Sequence, residues 1–172
     1  MIKYYLKLTK FNIWANQSFR KCLEKIPKEQ FETIDTPYGS FLDLIVHIFA
    51  AVDLWLARIS GNSPKSLKTA DDYGWFSKGW VELAQNWEKI DQSLYTFVRS
   101  LRNKTALDRR INYNSTEGSN YNISISDILT HISHHSMYHR GQIAMLLRQQ
   151  NLAPIPANDA IYFFLSLPST MS

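Results

Sequence analysis

The chain has 172 residues, a length that favours one domain, and its 45% of apolar residues is sufficient for a hydrophobic core. The net charge of +4 is mild and no long run of Lys or Arg occurs, so the sequence shows no electrostatic footprint for nucleic acid. We expect no transmembrane helix, because no uninterrupted apolar stretch approaches roughly 18 residues, and no signal peptide, because lysines interrupt positions 1–14. The single cysteine, Cys22, excludes an intramolecular disulfide and favours a reducing cytoplasm.

Residues 2–26 predict an amphipathic helix. Its apolar side chains recur mostly at spacings of three, four and seven, with polar residues between them, at Ile2, Leu6, Ile13, Trp14, Phe19, Leu23 and Ile26. Pro27 ends this helix, because proline disfavours the α conformation in the residue before it. We expect residues 27–39 to be a connection.

A second helix is predicted over residues 41–59. Ser40 has the character of an N-cap, and Asp43 places a negative charge in the first turn. This helix is apolar on nearly all sides, so we expect it to be the most buried element, with His47 in its middle. The sequence at residues 60–62, Ser-Gly-Asn, is a typical stop signal.

The following segment is less regular. Residues 61–75 are polar and loop-like, and helical spacing returns over residues 76–102. Residues 103–123 have no helical period. Within them, residues 110–113 and 120–123 flank a polar, glycine-containing turn, which indicates an irregular hairpin.

A fourth long helix completes the main pattern. Ser124 or Ser126 is expected to cap it, and it continues to about Gln150. A short apolar helix over residues 158–167 should pack back on the body. Four long amphipathic segments without central strands predict an all-α, up-and-down four-helix bundle, with residues 1–172 as a single domain.

Four of the five histidines lie within nine residues, at His131, His134, His135 and His139. Residues four apart share a helix face, so His135 and His139 project together, about 6 Å apart at Cβ, and offer a metal two imidazoles. Bundles build metal sites from facing helices, so we predict that His47 joins this pair around one ion. His131 continues the row one turn earlier. The alternative is a hydrogen-bonded patch of histidines without metal.

Three imidazoles leave a coordination position open. Structural zinc sites are closed by four protein ligands, usually with Cys, whereas catalytic sites keep a water. Imidazole suits Zn, Ni, Cu and Fe; we expect Zn or Ni first, with Fe or Mn as further candidates. The sequence from His135 to His139 lacks the Glu of the H-E-x-x-H metalloproteases, so it identifies no catalytic base.

Three further residues are candidates for the surroundings of the ion or for substrate binding. Ligating histidines usually donate their other N–H to a partner, and Asp43 and His131 are candidates for that role. For Asp43 the alternative is a helix N-terminal charge, and for His131 it is a core histidine. Arg140 is a candidate for holding an anionic substrate, with packing or an ion pair as the alternative.

Four sequence motifs follow one another through nearly the whole chain. They are Asn12-Ile13-Trp14-Ala15-Asn16, then His47–Ala51 with Trp55–Gly61, then His131-x-x-x-His135-x-x-Tyr138-His139-Arg140-Gly141-Gln142-Ile143 with Leu147-Arg148, and finally Asp159 with Tyr162. In order and spacing they resemble the DinB/YfiT-like superfamily of four-helix bundles with a three-histidine metal site. The resemblance implies His47, His135 and His139 as ligands. His131 matches a position that is often His, whereas His134 stands where the family frequently has Asn.

The resemblance implies two functions. Relatives include thiol-S-transferases that use a low-molecular-weight thiol such as bacillithiol, mycothiol or glutathione, and metal-dependent hydrolases, so a metal-dependent enzyme acting on a small molecule is expected. The alternative is a non-catalytic, metal-binding stress protein induced by damage. Homodimers are common in such families, which makes a second copy of the chain a candidate partner, whereas nucleic acid and membrane are not expected.

Overall fold

The structure, a computed structural model, describes residues 1–167. Its helices are α1 (Ile2–Leu23), α2 (Lys28–Thr33), α3 (Phe41–Ile59), α4 (Trp75–Lys78), α5 (Trp80–Ser100), α6 (Lys104–Asp108), α7 (Ile125–Gln149) and α8 (Ala160–Ser166). The long helices α1, α3, α5 and α7 form a bundle, which confirms the predicted all-α class. The end of the predicted domain, residues 168–172, lies outside the described residues. Within residues 1–167, no helix combines the length and the apolar character needed to cross a bilayer.

The four long helices do not alternate in direction. Both α1 and α3 pack against α5 and α7, so α1 lies diagonally opposite α3. Phe41 at the start of α3 and Trp80 at the start of α5 both contact Phe31, so α3 and α5 run in the same direction. Helix α7 runs antiparallel to α3 and parallel to α1. The expected up-and-down order is therefore corrected to up, down, down and up.

The connection between α3 and α5 explains this topology. Residues 60–79 run back along α3, where Lys68 Nζ donates to Asp53 Oδ2 at 2.7 Å. Further along, the ring of Tyr73 packs against Phe49 with centroids 4.8 Å apart. A connection of this length returns the chain to the end of the bundle where α3 begins, so α5 begins there as well.

Short helices occupy segments that the sequence predicts as connections or as part of a longer helix. Each of α2, α4 and α6 buries one apolar side chain almost completely, respectively Phe31, Trp75 and Leu107. One buried side chain per segment produces no period, so sequence spacing does not reveal these helices. Gly79, with φ of +63°, separates α4 from α5, so the third long helix begins at Trp80 instead of residue 76.

Two antiparallel hairpins complete the fold, namely β1 (Asp35–Thr36) with β2 (Gly39–Ser40) and β3 (Arg110–Asn114) with β4 (Asn120–Ser124). The second hairpin confirms the predicted one, and its register places Tyr113 opposite Tyr121. The first was not expected within the 27–39 connection. Ser124 ends β4 and caps α7, since its Oγ accepts from the backbone N of Asp127 at 3.1 Å. Ser124, and not Ser126, is thus the cap.

Helix α8 packs back on α1. The ring of Phe163 lies against Phe11 and Trp14, with centroids 6.0 and 5.9 Å apart. Just before α8, Asn158 Oδ1 accepts from Arg140 Nε at 2.8 Å. This hydrogen bond attaches the C-terminal segment to α7.

A buried polar network crosses the bundle core. Arg20 Nη1 donates to Asp91 Oδ2 at 2.7 Å, and Asn16 Nδ2 donates to Asp91 Oδ1 at 2.8 Å. Asn16 Oδ1 in turn accepts from Arg140 Nη1 at 2.8 Å. All four side chains are buried, and the network joins α1, α5 and α7.

Replacing Asp91 with alanine is expected to lower the free energy of unfolding by about 3–5 kcal/mol, because the buried Arg20 loses its carboxylate partner. Asp108→Ala is the matched control, since its pair with Lys104 spans 3.8 Å at the surface. Exposed pairs of this kind contribute about 0–0.5 kcal/mol. Urea unfolding measures both losses, and similar losses in the two variants would contradict the prediction.

Candidate metal centre

His47 is positioned by the start of α3. A capping box begins this helix, since Ser40 Oγ accepts from the backbone N of Asp43 at 3.2 Å and Asp43 Oδ2 accepts from the backbone N of Ser40 at 2.8 Å. His47 follows Asp43 by about one turn, on the helix face that meets α7. The carboxylate of Asp43 therefore interacts with the helix N-terminus.

Three histidines converge between α3 and α7. His135 Nε2 lies 3.0 Å from His47 Nε2 and 3.1 Å from His139 Nε2. The ligand atoms of the three residues all lie within 4.8 Å of one another, an arrangement that could hold a metal ion. The antiparallel direction of α3 and α7 brings His47 to the i,i+4 pair.

The nitrogen separations fit one ion. Two nitrogens that are each about 2.0–2.1 Å from zinc lie about 3.3 Å apart at a tetrahedral angle and about 2.9 Å apart at a right angle. The observed separations of 3.0 and 3.1 Å fall between these values. Neutral imidazoles, here with Nε2 of His135 close to Nε2 of His47 and of His139, form a donor set that zinc, nickel and iron accept.

Gln142 determines the tautomer of His139. His139 Nδ1 lies 2.6 Å from Gln142 Oε1, and an amide oxygen can only accept, so Nδ1 carries the proton and donates. The lone pair of His139 is then on Nε2, which faces the other two rings. An N–H donated to a neighbouring acceptor is the usual support of a ligating histidine. The sequence contains a signal for this contact, because Gln142 follows His139 by three residues on a helix, but no role was predicted for it.

Burial keeps the three imidazoles neutral. It lowers the pKa of His47 to about 4, with a further contribution from His139. It lowers the pKa of His135 to about 3, with further contributions from the neighbouring histidines, and it also lowers the pKa of His139, against the effect of the hydrogen bond to Gln142. At neutral pH each imidazole is therefore uncharged and has one unprotonated nitrogen, as metal ligation requires.

His131 lies beside the three histidines. Its ring centroid lies 5.3 Å from that of His135 and 5.6 Å from that of Trp55. Partial burial lowers the pKa of His131, and the charge of Arg58 lowers it further. His131 is therefore in contact with a candidate ligand, and its ring is tilted by 40° relative to that of His135.

Arg140 points away from the three imidazoles. Its side chain is fully buried, and its guanidinium donates to the Oδ1 atoms of Asn12, Asn16 and Asn158 at 2.8–3.0 Å. The structure thus places Arg140 in the core, where packing, one of the two alternatives to binding an anionic substrate, accounts for its side chain together with hydrogen bonds to asparagines in place of the predicted ion pair.

Tyr38 is a site residue that sequence reasoning missed. Its ring centroid lies 5.1 Å from that of His47 and 5.0 Å from that of His139, and the ring is partly exposed. Tyr138, with 61% of its surface exposed, contacts the ring of His139 from α7 at 5.0 Å. Both tyrosine rings therefore border His139. The position of Tyr38 depends on a turn between β1 and β2, for which the sequence has no periodic signal.

Gly39 shapes the turn that carries Tyr38. Thr36 Oγ1 accepts from the backbone N of Tyr38 at 3.1 Å and donates to the carbonyl of Gly39 at 3.0 Å. Gly39 has φ of +103°, and a Cβ at this position would lie 2.7 Å from Asp43 Oδ2. Glycine is therefore required both by the backbone conformation and by the carboxylate that caps α3.

The sequence model of the DinB family matches residues 1–165, nearly the whole chain. The chain belongs to the DinB family. This confirms the resemblance seen in the four motifs, and the three convergent histidines are the feature of this DinB-family chain that could hold an ion.

Two proteins are similar to this DinB-family chain over most of its length. Protein DinB of Bacillus subtilis (strain 168) is 26% identical over 170 residues, which are 96% of this chain and 97% of that protein. The crystal structure of a DinB-like protein from Bacillus cereus ATCC 10987, at 2.01 Å resolution, matches with a TM-score of 0.66 and 18% identity. That match covers 89% of this chain and 94% of the other, and at this identity it shows a shared fold.

Lowering the pH should reduce the free energy of unfolding of the metal-free protein already at pH values above those at which the folded histidines bind protons. Unfolded imidazoles bind protons below about pH 6.5, whereas folded His47 and His135 bind them only near pH 4 and pH 3. The unfolded state therefore binds more protons in this window, and the free energy of unfolding falls as the pH is lowered from 6.5 to 4.

His135→Ala is expected to make this loss shallower, because it removes one of the groups whose folded pKa is lowered most. Urea unfolding at a series of pH values, in the presence of a chelator, measures the slope. His134→Ala on the exposed side of α7 is the control, and it should keep the wild-type slope. Equal slopes for wild type and His135→Ala would argue against the prediction.

Proposed function

We propose that His47, His135 and His139 hold one divalent metal ion and that the protein is a metal-dependent enzyme acting on a small molecule. The convergence of three neutral imidazole Nε2 atoms, one of them oriented by Gln142, is the observation that carries the proposal. Zn or Ni is the first candidate and Fe or Mn the next, since the donors are all imidazole nitrogens.

Three protein ligands leave room for a reactant at the ion. A divalent ion bound there supplies Lewis acidity, which lowers the pKa of a coordinated water or thiol. The chain itself orients the donors, because Gln142 fixes the His139 ring and the cap of α3 fixes the start of the helix that carries His47. Tyr38 and Tyr138 provide aromatic surface against which the organic part of a substrate can pack.

The proposed reaction is thiol-S-transfer or hydrolysis. Membership of the DinB family supports it by analogy, and the thiol-S-transferase form would use a low-molecular-weight thiol as second substrate. A second candidate is a metal-binding protein without turnover. It is favoured by one observation: within residues 1–167, the cluster of potential ligands at this site contains histidines and no carboxylate to act as a base.

Untagged protein purified without added metal is expected to contain about one ion per chain, the stoichiometry of a single three-histidine site. Elemental mass spectrometry measures this content and identifies the metal. His135→Ala should lose most of it, because His135 Nε2 lies between the other two nitrogens.

His134→Ala is the matched control for this measurement. It removes an imidazole from the next position of α7, but His134 is exposed and its Nδ1 donates to the carbonyl of Thr130 at 2.8 Å. It should retain the wild-type metal content. Metal-free wild type, even after incubation with Zn or Ni and desalting, would refute the proposed site.

The metal-loaded protein is expected to consume a low-molecular-weight thiol in the presence of an electrophile, or to hydrolyse a small ester or amide. A screen of thiols and electrophiles, followed by loss of free thiol or appearance of acid, measures either reaction. Activity should fall in His135→Ala at least in proportion to its loss of metal, because the loss of a ligand removes the ion on which the proposed reaction depends. Full metal occupancy without turnover would support the non-catalytic candidate instead.

We also propose that the chain forms a homodimer and that it is located in the cytoplasm. Exposed aromatic and apolar side chains on α7 and α8, including Tyr138, Met145 and Tyr162, would allow a second copy to pack against the bundle. Light scattering of the purified protein distinguishes a monomer from a dimer.

A further inference from the structure

Helix α8 packs on α1, outside the four-helix bundle, and turns an apolar face to solvent. Its inward side chain is Phe163, which lies against Phe11 and Trp14 of α1. Three further apolar side chains of α8 point outward and are 56–75% exposed, namely Ile161, Tyr162 and Leu165. Residues 160–172 contain no charged side chain, so the sequence places no charge on this face of α8.

A row of lysines runs along α1 beside α8. Lys3, Lys7 and Lys10 recur at spacings of four and three, which places them on one helix face. Lys7 Nζ lies 4.6 Å from the ring centroid of Phe164, so this face of α1 borders α8. Lys3 and Lys10 are exposed.

The positive charge of this lysine row is not neutralised within the described chain. Residues 1–23 contain no Asp or Glu, so α1 supplies no acidic partner of its own. The ion pairs among residues 1–167 involve other lysines and arginines. Asp159, directly before α8, is the acidic residue nearest to this helix in the sequence.

Only the fold brings the two features together. Residues 3–10 and 161–165 lie at opposite ends of the chain, and neither segment alone has the length or the composition that indicates a membrane-binding element. For this reason the sequence led us to expect no membrane partner. The packing of α8 on α1 puts an exposed apolar face next to a positive row.

We propose that the lysine row of α1 and the outer face of α8 bind the surface of a bilayer that contains anionic lipids. Apolar side chains on such a surface enter the boundary between headgroups and acyl chains, while lysines attract the lipid phosphates. Tyr162 has the amphipathic ring that is enriched at the membrane interface. Because α8 lies on top of the bundle, it forms a raised helix that a flat, fluid surface can accommodate.

A second copy of the chain fits this face less well. In a symmetric dimer the same patch lies on both subunits, so the lysine rows of the two copies would come close together. No acidic residue of α1 would compensate this repulsion. The exposed side chains of α7, such as Tyr138 and Met145, remain available for the homodimer proposed above.

The test measures co-sedimentation of the full chain with lipid vesicles. One set consists of phosphatidylcholine, and the other of phosphatidylcholine and phosphatidylglycerol in equal amounts. Wild type is expected to bind the anionic vesicles at least about tenfold more tightly than the neutral ones, since each lysine near the surface contributes about fivefold. This binding should weaken as the salt concentration is raised, because ions screen the attraction.

Two variants test the two parts of the surface. Leu165→Glu should weaken binding to anionic vesicles at least about tenfold, because it places a negative charge where an apolar side chain enters the bilayer. Lys3→Glu combined with Lys10→Glu should weaken it at least about 25-fold, or about fivefold for each basic residue lost. The replaced side chains are exposed, so both variants are expected to fold, which circular dichroism checks.

Matched controls replace similar side chains away from α1 and α8. Val81→Glu removes an apolar side chain of α5 that is 62% exposed, and it should bind vesicles as wild type does. Lys65→Glu combined with Lys89→Glu changes the net charge by the same amount at exposed positions. This pair should weaken binding clearly less than the α1 pair, because only charges within about a Debye length of the bilayer contribute.

Three results would overturn the proposal. The first is a wild-type protein that does not bind anionic vesicles, and the second is undiminished binding in Leu165→Glu. The third is an equal loss in the two lysine pairs, which would show that net charge alone causes the binding. Light scattering on the same samples tests the second copy: a wild-type dimer that Leu165→Glu dissociates, without vesicle binding, would assign this face to self-association instead.

Discussion

Two adjacent residues of α7, His139 and Arg140, contact neighbouring helices on different sides of α7. Together these contacts fix the rotation of α7 about its own axis in the bundle. Arg140 donates to Asn16 of α1, whereas His139, about 100° away around the helix, faces α3. Asn16 also donates to Asp91 of α5, which accepts from Arg20. The helix that carries His139 is thus positioned by a buried network that contains no histidine, while Gln142 orients the His139 ring. Because that network spans three of the four long helices, the geometry of the candidate metal centre depends on the packing of the whole bundle.

The three histidines of the cluster are at least partly buried, and each of their rings has an unprotonated nitrogen. Three imidazoles whose Nε2 atoms lie about as close as hydrogen-bonded atoms cannot all carry charge in a half-buried seam, and burial accordingly lowers their pKa values. The same conditions favour a divalent cation, because each neutral imidazole offers it a nitrogen lone pair. The structure brings together the three histidines that the sequence motifs predicted as ligands.

The connections between the long helices also set the direction of α5 and cover the ends of α3. Residues 60–79 return along α3 and make α3 and α5 parallel, while the β3–β4 hairpin covers the far end of α3. The short β1–β2 hairpin brings Tyr38 to the histidines at the other end. Tyr38 therefore lies at the end of the α3–α7 seam that carries His47 and His139, and the β3–β4 hairpin lies at the opposite end.

Local chemistry in the sequence determined the helices and the ligand pair. Ser40 with Asp43 and Ser124 with Asp127 are capping signals within four residues, and His135 with His139 is an i,i+4 spacing, so each is readable without knowledge of the fold. That four helices would form a bundle followed from their amphipathic periods. Only the tertiary structure decided the direction of α5, the short helices, the position of the Tyr38 ring beside the histidines and the hydrogen-bond partners of Arg140. These features join residues far apart in the chain, and such contacts depend on connection paths and packing that leave no period in the sequence.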